Sequence, residues 1–197
     1  MNKCVLLVLS GGNGERLTHL TAGTAKQFSC YVNCITLLES TLTRLQSLQL
    51  PIGIITQQNQ LALLQLQHTA FIMSEPISKN TTAAIAFSLR QLEKLGLLDA
   101  TLVFLPCDQT FNDDTLFLET LERAIALAAF DELLVLSCRS KRLTSQFGYF
   151  KTNALLRIED FAEKPDGEQL KTMPIFEFAD LGQPATFLAF SQQCKEG

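Results

Sequence analysis

The sequence predicts an α/β fold with a doubly wound sheet that is mixed but mostly parallel. Two observations predict it. Apolar runs alternate with helical patterns up to about residue 140, which is typical of a parallel sheet with helices on both faces. The first run, at 4–9, is apolar at every position, as a strand buried on both faces requires. Beyond Ser140 the chain is rich in strand patterns instead.

The predicted elements follow from periodicity and from chain breakers. Strands of the doubly wound unit are predicted at 4–9, 52–56, 70–73, 101–105 and 133–137. Helices are predicted at 36–48, 58–67, 81–95 and 115–129. Pro51 ends the first helix, and Ile85, Leu89 and Leu92 are predicted to face inward on the third. Later strands are predicted at 148–152, 155–162, 175–179 and 186–190.

Composition limits the class of protein. With 197 residues, 47% of them hydrophobic, the chain can bury one core, which favours a single domain over 1–197. No apolar run reaches the roughly 18 residues of a membrane span, and the apolar run near the N-terminus is too short for a signal peptide. A net charge of −4 without a basic cluster argues against nucleic acid or a membrane as a partner. A cytoplasmic protein is expected.

The cysteines predict no metal site and no disulfide framework. The chain has six of them, and none forms a Cys-x2-Cys pair. Several fall in predicted strands, so reduced structural thiols are favoured over disulfides or zinc ligands, with Cys30 and Cys34 as an exception that stays open.

The segment after the first strand is the most informative part of the chain. Its sequence, Ser10-Gly-Gly-Asn-Gly-Glu-Arg-Leu17, has three glycines in four positions and is followed by Lys26-Gln-Phe. Glycines let a backbone approach an anion closely and turn its N–H groups toward it, and Arg16 and Lys26 can supply positive charge. The pattern predicts a phosphate-binding loop of a nucleotide site, with a glycine-rich strand-to-helix turn as the alternative.

Two common phosphate-binding motifs do not fit this loop. The dinucleotide motif Gly-x-Gly-x-x-Gly needs a third glycine where Leu17 stands. The Walker motif needs Gly before Lys and Ser or Thr after it, whereas Lys26 lies between Ala25 and Gln27. What remains, Gly-Gly-x-Gly-x-Arg-Leu with a displaced Lys-Gln, resembles the signature of the sugar-nucleotide pyrophosphorylases. These enzymes join a nucleoside triphosphate to a sugar 1-phosphate.

A carboxylate is predicted at the end of the strand at 101–105. Ligands of an open parallel sheet bind outside the carboxyl ends of its strands, and Asp108 follows this strand directly. Asp108 could hold a divalent cation between two phosphates, or it could cap the next turn. A phosphate loop at the same edge of the sheet favours the metal ion.

A second carboxylate, Glu75, follows the strand at 70–73. The segment Glu75-Pro-Ile-Ser-Lys-Asn-Thr leads into a helix with Asn80 or Thr81 at the capping position. Guanine presents its N1–H and 2-amino group side by side, and one carboxylate can accept from both, whereas adenine has no such pair. We therefore expect Glu75 to read guanine.

Five segments together resemble one enzyme family. In order and spacing they are similar to segments of the bacterial mannose-1-phosphate guanylyltransferases, which are also called GDP-mannose pyrophosphorylases. The five segments are the loop with Lys26, the Glu75 segment, Leu105-Pro-Cys-Asp108, Phe147-Gly-Tyr-Phe and Phe161-Ala-Glu-Lys-Pro-Asp166. The resemblance runs from residue 4 to about 166. It implies a Rossmann-like sheet of the nucleotide-diphospho-sugar transferase type, with 1–140 as the nucleotide-binding half and 141–197 as part of the sugar-binding half.

The resemblance also implies an activity and a set of site residues. The activity is the formation of GDP-mannose and pyrophosphate from GTP and mannose 1-phosphate, with Mg²⁺ as cofactor. The partners are GTP and a sugar 1-phosphate. The oligomeric state is left open, with a homo-oligomer as one alternative. Implied catalytic residues are Arg16, Lys26 and Lys164, with Asp108 as the Mg²⁺ ligand. Implied nucleotide-binding residues are Gly11, Gly12, Gly14, Glu75, Asn80 and Thr81. Implied sugar-binding residues are Gly148 and Glu163.

The chain departs from the family pattern within the loop. The family usually has Thr at Glu15, an aromatic-Pro pair at Thr18-His19, and Pro at Ala25, and its second metal-binding Asp lies beyond position 197. These departures imply a truncated or divergent member. A relative that binds a nucleotide or sugar nucleotide without turnover is therefore an alternative, as is a pyrophosphorylase for another base or sugar.

Overall fold

The computed structural model of the protein contains two compact units. The first comprises Met1–Gln109 with Ile125–Phe130, and the second comprises Thr110–Ala124 with Asp131–Gly197. The residues that the structure describes are 3–12, 25–28, 30–32, 35–64, 69–77, 79–111, 113–128, 133–137, 145, 148–168 and 176–178.

A four-stranded parallel sheet forms the centre of the first unit. The strands in this unit are β1 (Cys4–Leu9), β2 (Cys30–Val32), β3 (Ile35–Thr36), β4 (Ile52–Gln57), β5 (Phe71–Glu75) and β6 (Thr101–Pro106). The sheet order is β5-β4-β1-β6, and all its pairs are parallel. β2 and β3 form a separate antiparallel pair. The predicted α/β fold with a parallel, Rossmann-like sheet is confirmed.

Helices connect the strands, and local sequence sets their ends. They are α1 (Leu37–Gln46), α2 (Thr81–Lys94) and α3 (Asp114–Ala128). α1 begins with a capping box in which the Glu39 N–H donates to the Thr36 hydroxyl and the Thr36 N–H donates to the Glu39 carboxylate. α2 ends before Gly96, whose φ of 66° is the left-handed conformation of a helix end. No described helix is both long and apolar enough to cross a membrane.

The core of the first unit lies between the sheet and α2. Its buried members include Val5 and Leu7 of β1, Ile55 of β4, Met73 of β5 and Leu92 of α2. Val5 and Leu7 on one face of β1 and Leu6 and Val8 on the other are all at most 1% exposed, which explains the continuous apolar run at 4–9. This packing fixes the carboxyl ends of the strands, where the candidate site lies.

Position 53 of β4 has no room for a side chain larger than that of glycine, because of its neighbour on the edge strand β5. Gly53 pairs with Phe71 of β5, and a Cβ added at Gly53 would overlap the Phe71 ring. We expect Gly53→Ala to reduce the free energy of unfolding in urea by about 1–3 kcal/mol, the usual cost of overpacking. Gly167→Ala is the control, because a Cβ there meets nothing within 4 Å. Equal stability of the two variants would contradict this packing.

The second unit contains a three-stranded antiparallel sheet. Its strands are β7 (Gly148–Thr152), β8 (Ile158–Glu163) and β9 (Phe176–Phe178), in the order β8-β7-β9. The Asn153 carboxamide oxygen accepts from the N–H groups of Leu155 and Arg157 at 2.9 and 3.1 Å, which closes the turn between β7 and β8.

Four predictions about elements are corrected by the structure. Residues 133–137 form no strand, and Leu133 is 94% exposed. The strand predicted at 155–162 begins at Ile158, because the Asn153 turn takes up Leu155 and Leu156. Gln58–Leu63 is a 3₁₀ helix instead of the start of an α-helix. The inward face of α2 carries Ala84, Ser88 and Leu92, while Leu89 is 38% exposed.

Four predicted segments lie partly or wholly outside the described residues. They are the end of the helix predicted at 58–67, residue 129 of the helix predicted at 115–129, both ends of the strand predicted at 175–179, and the whole strand predicted at 186–190. The other predicted helices and strands agree with the structure to within a few residues.

Candidate nucleotide site

The candidate site lies at the carboxyl ends of the parallel strands. Leu9, the last residue of β1, is in register with Ile55 of β4 and with Pro106 of β6. The segment that begins at Ser10, of which residues 10–12 are described and which we call the glycine loop, therefore leaves the sheet between the ends of β4 and β6. Ligands of open α/β sheets bind at this position. Glu75 is the last residue of β5, and Asp108 follows β6.

Three buried glutamines bind the carbonyl groups of the loop. The Gln27 side-chain amide donates to the carbonyls of Ser10 and Gly12 at 2.9 and 2.8 Å. The Gln57 side-chain amide donates to the Gly11 carbonyl. That of Gln60 makes a longer contact of 3.5 Å with the Gly12 carbonyl. We call Gln27, Gln57 and Gln60 the glutamine clamp; their exposure is 3%, 8% and 4%.

Sequence reasoning missed two members of this clamp. Gln27 was part of the Lys-Gln-Phe motif, but Gln57 and Gln60 carry no charge and belong to no motif. Gln57 ends β4, so the strand-end rule that selected Glu75 and Asp108 would have found it too.

A single ion pair joins the turn after the loop to the end of β6 among the described residues. The Lys26 ammonium lies 3.1 Å from Oδ2 of Asp108, and the two side chains are 26% and 35% exposed. No described backbone N–H donates to Asp108, and the carboxylate that caps the first turn of α3 is that of Asp113, which accepts from the Leu116 N–H. The capping alternative for Asp108 is thus not what the structure shows.

Glu75 lies against the glycine loop. Its side chain is 5% exposed, and its Oε2 would lie 2.9 Å from a Cβ added at Gly11. Burial raises the pKa of the Glu75 carboxyl, because the charged form loses hydration. A buried carboxylate without a described cation beside it is suited to accept hydrogen bonds from a ligand.

The contact between Gly11 and Glu75 predicts different effects for two neighbouring glycine variants. In Gly11→Ala the new Cβ must displace the Glu75 carboxylate, whereas in Gly12→Ala it meets nothing within 4 Å. We expect Gly11→Ala to lower the ratio of GTP to ATP affinity about tenfold, which is the value of one hydrogen bond to a charged group. Gly12→Ala should keep the ratio. Equal ratios, measured by isothermal titration calorimetry, would contradict a role of Glu75 in base selection.

Asn80 and Thr81 stand at the N-terminus of α2, close along the chain to Glu75. The Asn80 carboxamide oxygen accepts from the Ala83 N–H at 2.9 Å, so Asn80 is the N-cap that the sequence predicted. Both residues are exposed and available to a ligand.

Cys107 is not a reactive thiol. It lies between β6 and Asp108 and is 4% exposed. Burial, assisted by the Asp108 charge, raises the pKa of the Cys107 thiol to about 12. Its carbonyl accepts from the Thr41 hydroxyl at 3.2 Å, which attaches α1 to the end of β6.

The predicted sugar-binding residues belong to the second unit. Gly148 of β7 pairs with Glu163 of β8, and a Cβ at Gly148 would lie 3.0 Å from both the Glu163 carboxylate and the Phe161 ring. Lys164 has a φ of 47°, and its Nζ lies 3.9 Å from Oε1 of Glu163. These side chains are 57% and 62% exposed, so this ion pair contributes little to stability.

Two predicted site residues, Gly14 and Arg16, lie outside the described residues. The same holds for Glu15, Thr18 and His19, at which the loop departs from the family pattern. The structure thus brings together Gly11, Gly12, Lys26, Glu75 and Asp108 at one edge of the first unit, and places Gly148, Glu163 and Lys164 in the second.

Comparison with known proteins identifies the family. The model of the nucleotidyl transferase family matches residues 5–187. The chain belongs to this family. Among curated members, the alginate biosynthesis protein AlgA of Pseudomonas syringae pv. tomato is 31% identical in an alignment of 196 residues that covers 89% of this chain and 38% of AlgA. The mannose-1-phosphate guanylyltransferase of Salmonella montevideo is 27% identical in an alignment of 182 residues that covers 82% of this chain and 38% of that protein.

A solved structure has the same fold. A protein of Thermus thermophilus, described as a mannose-1-phosphate geranyltransferase, superposes with a TM-score of 0.76 at 26% identity. The match covers 90% of this chain and 56% of that one. The chain thus spans less than two thirds of the length of each of these relatives.

The donor set at Asp108 suits a magnesium ion that is held together with a substrate. No group of three or more His, Cys, Asp or Glu side chains is arranged as a metal site in the described part of the chain. Mg²⁺ is usually bound by one or two carboxylates plus substrate phosphates, and the partly exposed Asp108 offers one such carboxylate. The residues therefore fit a nucleotide-bound Mg²⁺.

Proposed function

We propose that the chain carries the nucleotide-binding part of a guanylyltransferase that forms GDP-mannose and pyrophosphate from GTP and mannose 1-phosphate. One observation above all supports the proposal: the glycine loop, the buried Glu75 and the Lys26–Asp108 pair lie at the same carboxyl edge of a parallel sheet. In this arrangement Glu75 can accept hydrogen bonds from a base, the amides of the glycine loop can bind phosphates, and Lys26 supplies a positive charge beside them.

Each residue of the first unit has a proposed task at the nucleotide. Glu75 accepts from N1–H and the 2-amino group of guanine, and Asn80 and Thr81 lie beside the guanosine. The amides of Gly11, Gly12 and Gly14 bind the phosphates, and Arg16 and Lys26 neutralise their charge. Lys26 is held next to the phosphate site by its contact with Asp108.

The reaction needs no protein nucleophile. A phosphate oxygen of mannose 1-phosphate forms a bond to the α-phosphorus of GTP, the bond from that phosphorus to the β-bridging oxygen breaks, and pyrophosphate leaves. The two reactants are anions, so the residues work by alignment and charge neutralisation. For the sugar side we propose Gly148 and Glu163 at the hydroxyls and Lys164 at the sugar phosphate. Mg²⁺ held at Asp108 would supply further charge neutralisation.

The test is a pyrophosphate-release assay run beside GTP binding. Each of the four common nucleoside triphosphates is combined with mannose 1-phosphate or glucose 1-phosphate in the presence of Mg²⁺. We expect release to be fastest with GTP and mannose 1-phosphate. Tight GTP binding without release would instead indicate the non-catalytic alternative, and faster release with another pair would reassign the base or the sugar.

A further inference from the structure

The glycine loop is held by side chains of its own unit before any ligand binds. The carbonyls of three consecutive residues, Ser10, Gly11 and Gly12, all accept from the glutamine clamp. The clamp is itself fixed, because the Thr56 hydroxyl donates to Oε1 of Gln60 at 3.2 Å and the Gln27 amide contacts the same oxygen at 3.4 Å. Thr56 is 0% exposed, so this network lies inside the protein.

The position of a carbonyl determines the direction of the next amide. In a planar trans peptide the C=O of one residue and the N–H of the next point to opposite sides. When the Ser10 carbonyl is bound by Gln27, the Gly11 N–H points away from Gln27, and the Gly12 N–H likewise points away from Gln57. Gly12 is exposed, with open space where a Cβ would be. The clamp therefore turns loop amides away from the protein side chains that hold the carbonyls.

The clamp also connects the loop with the charged pair. Gln27 follows Lys26 in the same 3₁₀ turn, Lys26–Phe28, in which the Phe28 N–H donates to the Ala25 carbonyl at 2.9 Å. The Lys26–Phe28 turn thus holds the loop carbonyls through Gln27 and brings the Lys26 ammonium within hydrogen-bond distance of the Asp108 carboxylate.

We propose that Gln27, Gln57 and Gln60 are positioning residues that set the loop amides for binding a chain of phosphates. The proposal rests on the proposed function for the identity of the ligand, but its geometry concerns the free protein. Neutral donors are needed at these positions, because a carboxylate of the same shape cannot donate and would place charge against carbonyl oxygens. The glutamines act through the backbone and do not touch the substrate.

The test uses a pair of substitutions with equal charge change. Gln27→Glu keeps the shape of the side chain and removes its donors, whereas Gln58→Glu makes the same change at an exposed position of the neighbouring 3₁₀ helix. Gln27→Met separates the loss of donors from the added charge. Each protein is labelled with ¹⁵N-glycine, which gives amide signals from only ten residues. Signals are recorded free, with inorganic tripolyphosphate, with GTP and with guanosine.

The expected result is a selective loss of phosphate binding. In Gln27→Glu and Gln27→Met, the Gly11 and Gly12 signals shift already in the free protein, and tripolyphosphate and GTP bind about 10- to 100-fold more weakly, as expected for losing one or two hydrogen bonds to a charged group. Guanosine binding and the melting temperature change little by comparison. Gln58→Glu behaves like the natural sequence in every measurement.

Three outcomes overturn one proposal or the other. Unchanged Gly11 and Gly12 signals with unchanged tripolyphosphate affinity in Gln27→Glu would overturn the positioning role. A parallel loss of GTP and guanosine binding would overturn it as well, because a merely structural residue weakens both. If the natural sequence binds tripolyphosphate and not GTP, the proposed base is wrong, and the clamp is still judged by tripolyphosphate.

Discussion

Glu75→Gln is expected to weaken GTP binding about 10- to 100-fold, the value of one hydrogen bond to a charged acceptor, and to change ATP binding little. The carboxylate accepts two hydrogen bonds from guanine, whereas a carboxamide offers one acceptor and one donor to the same edge. Isothermal titration calorimetry with both nucleotides measures the effect. Glu93→Gln is the control, because Glu93 is exposed on α2. Equal losses for GTP and ATP would remove Glu75 from base selection.

The same substitution is expected to stabilise the free protein at neutral pH. Burial raises the pKa of Glu75 in the folded state. The stability linked to its neutral form is therefore fully present below the pKa of the unfolded chain and is lost as pH rises through the folded pKa. Glutamine has no charged form, so Glu75→Gln should increase the free energy of unfolding more at pH 7 than at pH 4. Urea unfolding of both proteins at the two pH values tests this, and a gain that is larger at pH 4 would contradict the burial argument.

A second large effect is expected at the Lys26–Asp108 pair. Asp108→Asn should reduce the rate of pyrophosphate release about 10²- to 10³-fold, the usual cost of losing one electrostatic group at a reacting centre. GTP binding measured without metal should change far less. Lys26→Met should also reduce the rate, because a positive charge beside the phosphates is lost.

Metal binding distinguishes the two variants of this pair. The Lys26 ammonium is paired with the Asp108 carboxylate that would hold the metal ion, so the ammonium and the metal ion compete for Asp108. Without nucleotide, Lys26→Met should therefore bind Mn²⁺ more tightly than the natural sequence, and Asp108→Asn more weakly. Lys94→Met, at the exposed end of α2, controls for the change in net charge. Mn²⁺ electron paramagnetic resonance measures free metal, and an unchanged affinity in Lys26→Met would show that the pair does not govern access to Asp108.

Much of the sheet and helix pattern was predictable because it depends on local sequence. Fully buried strands such as β1 must be apolar throughout, and α2 has a capping residue at Asn80 and a glycine after its end. Residues 133–137 show the limit of this reasoning. Their apolar run looks like a buried strand, but apolarity alone does not supply a partner strand.

The site was predictable only in part, for a related reason. Glu75 and Asp108 could be found because each follows a predicted strand and carries a charge. The glutamine clamp depends on which strand ends lie beside the loop, and the pairing of β1 with β4 is a long-range property that one sequence does not display. The contact of Gly11 with Glu75 likewise depends on sheet order.

The proposed function is that this chain belongs to an enzyme that joins GMP from GTP to a sugar phosphate. The most direct measurement is mass spectrometric detection of the sugar nucleotide after incubation with GTP, mannose 1-phosphate and Mg²⁺. GDP-mannose and pyrophosphate are expected in equal amounts, and both are expected to form about 10²- to 10³-fold more slowly with Asp108→Asn. Absence of any sugar nucleotide with all four nucleoside triphosphates, from a folded protein that binds GTP, would contradict the proposed function.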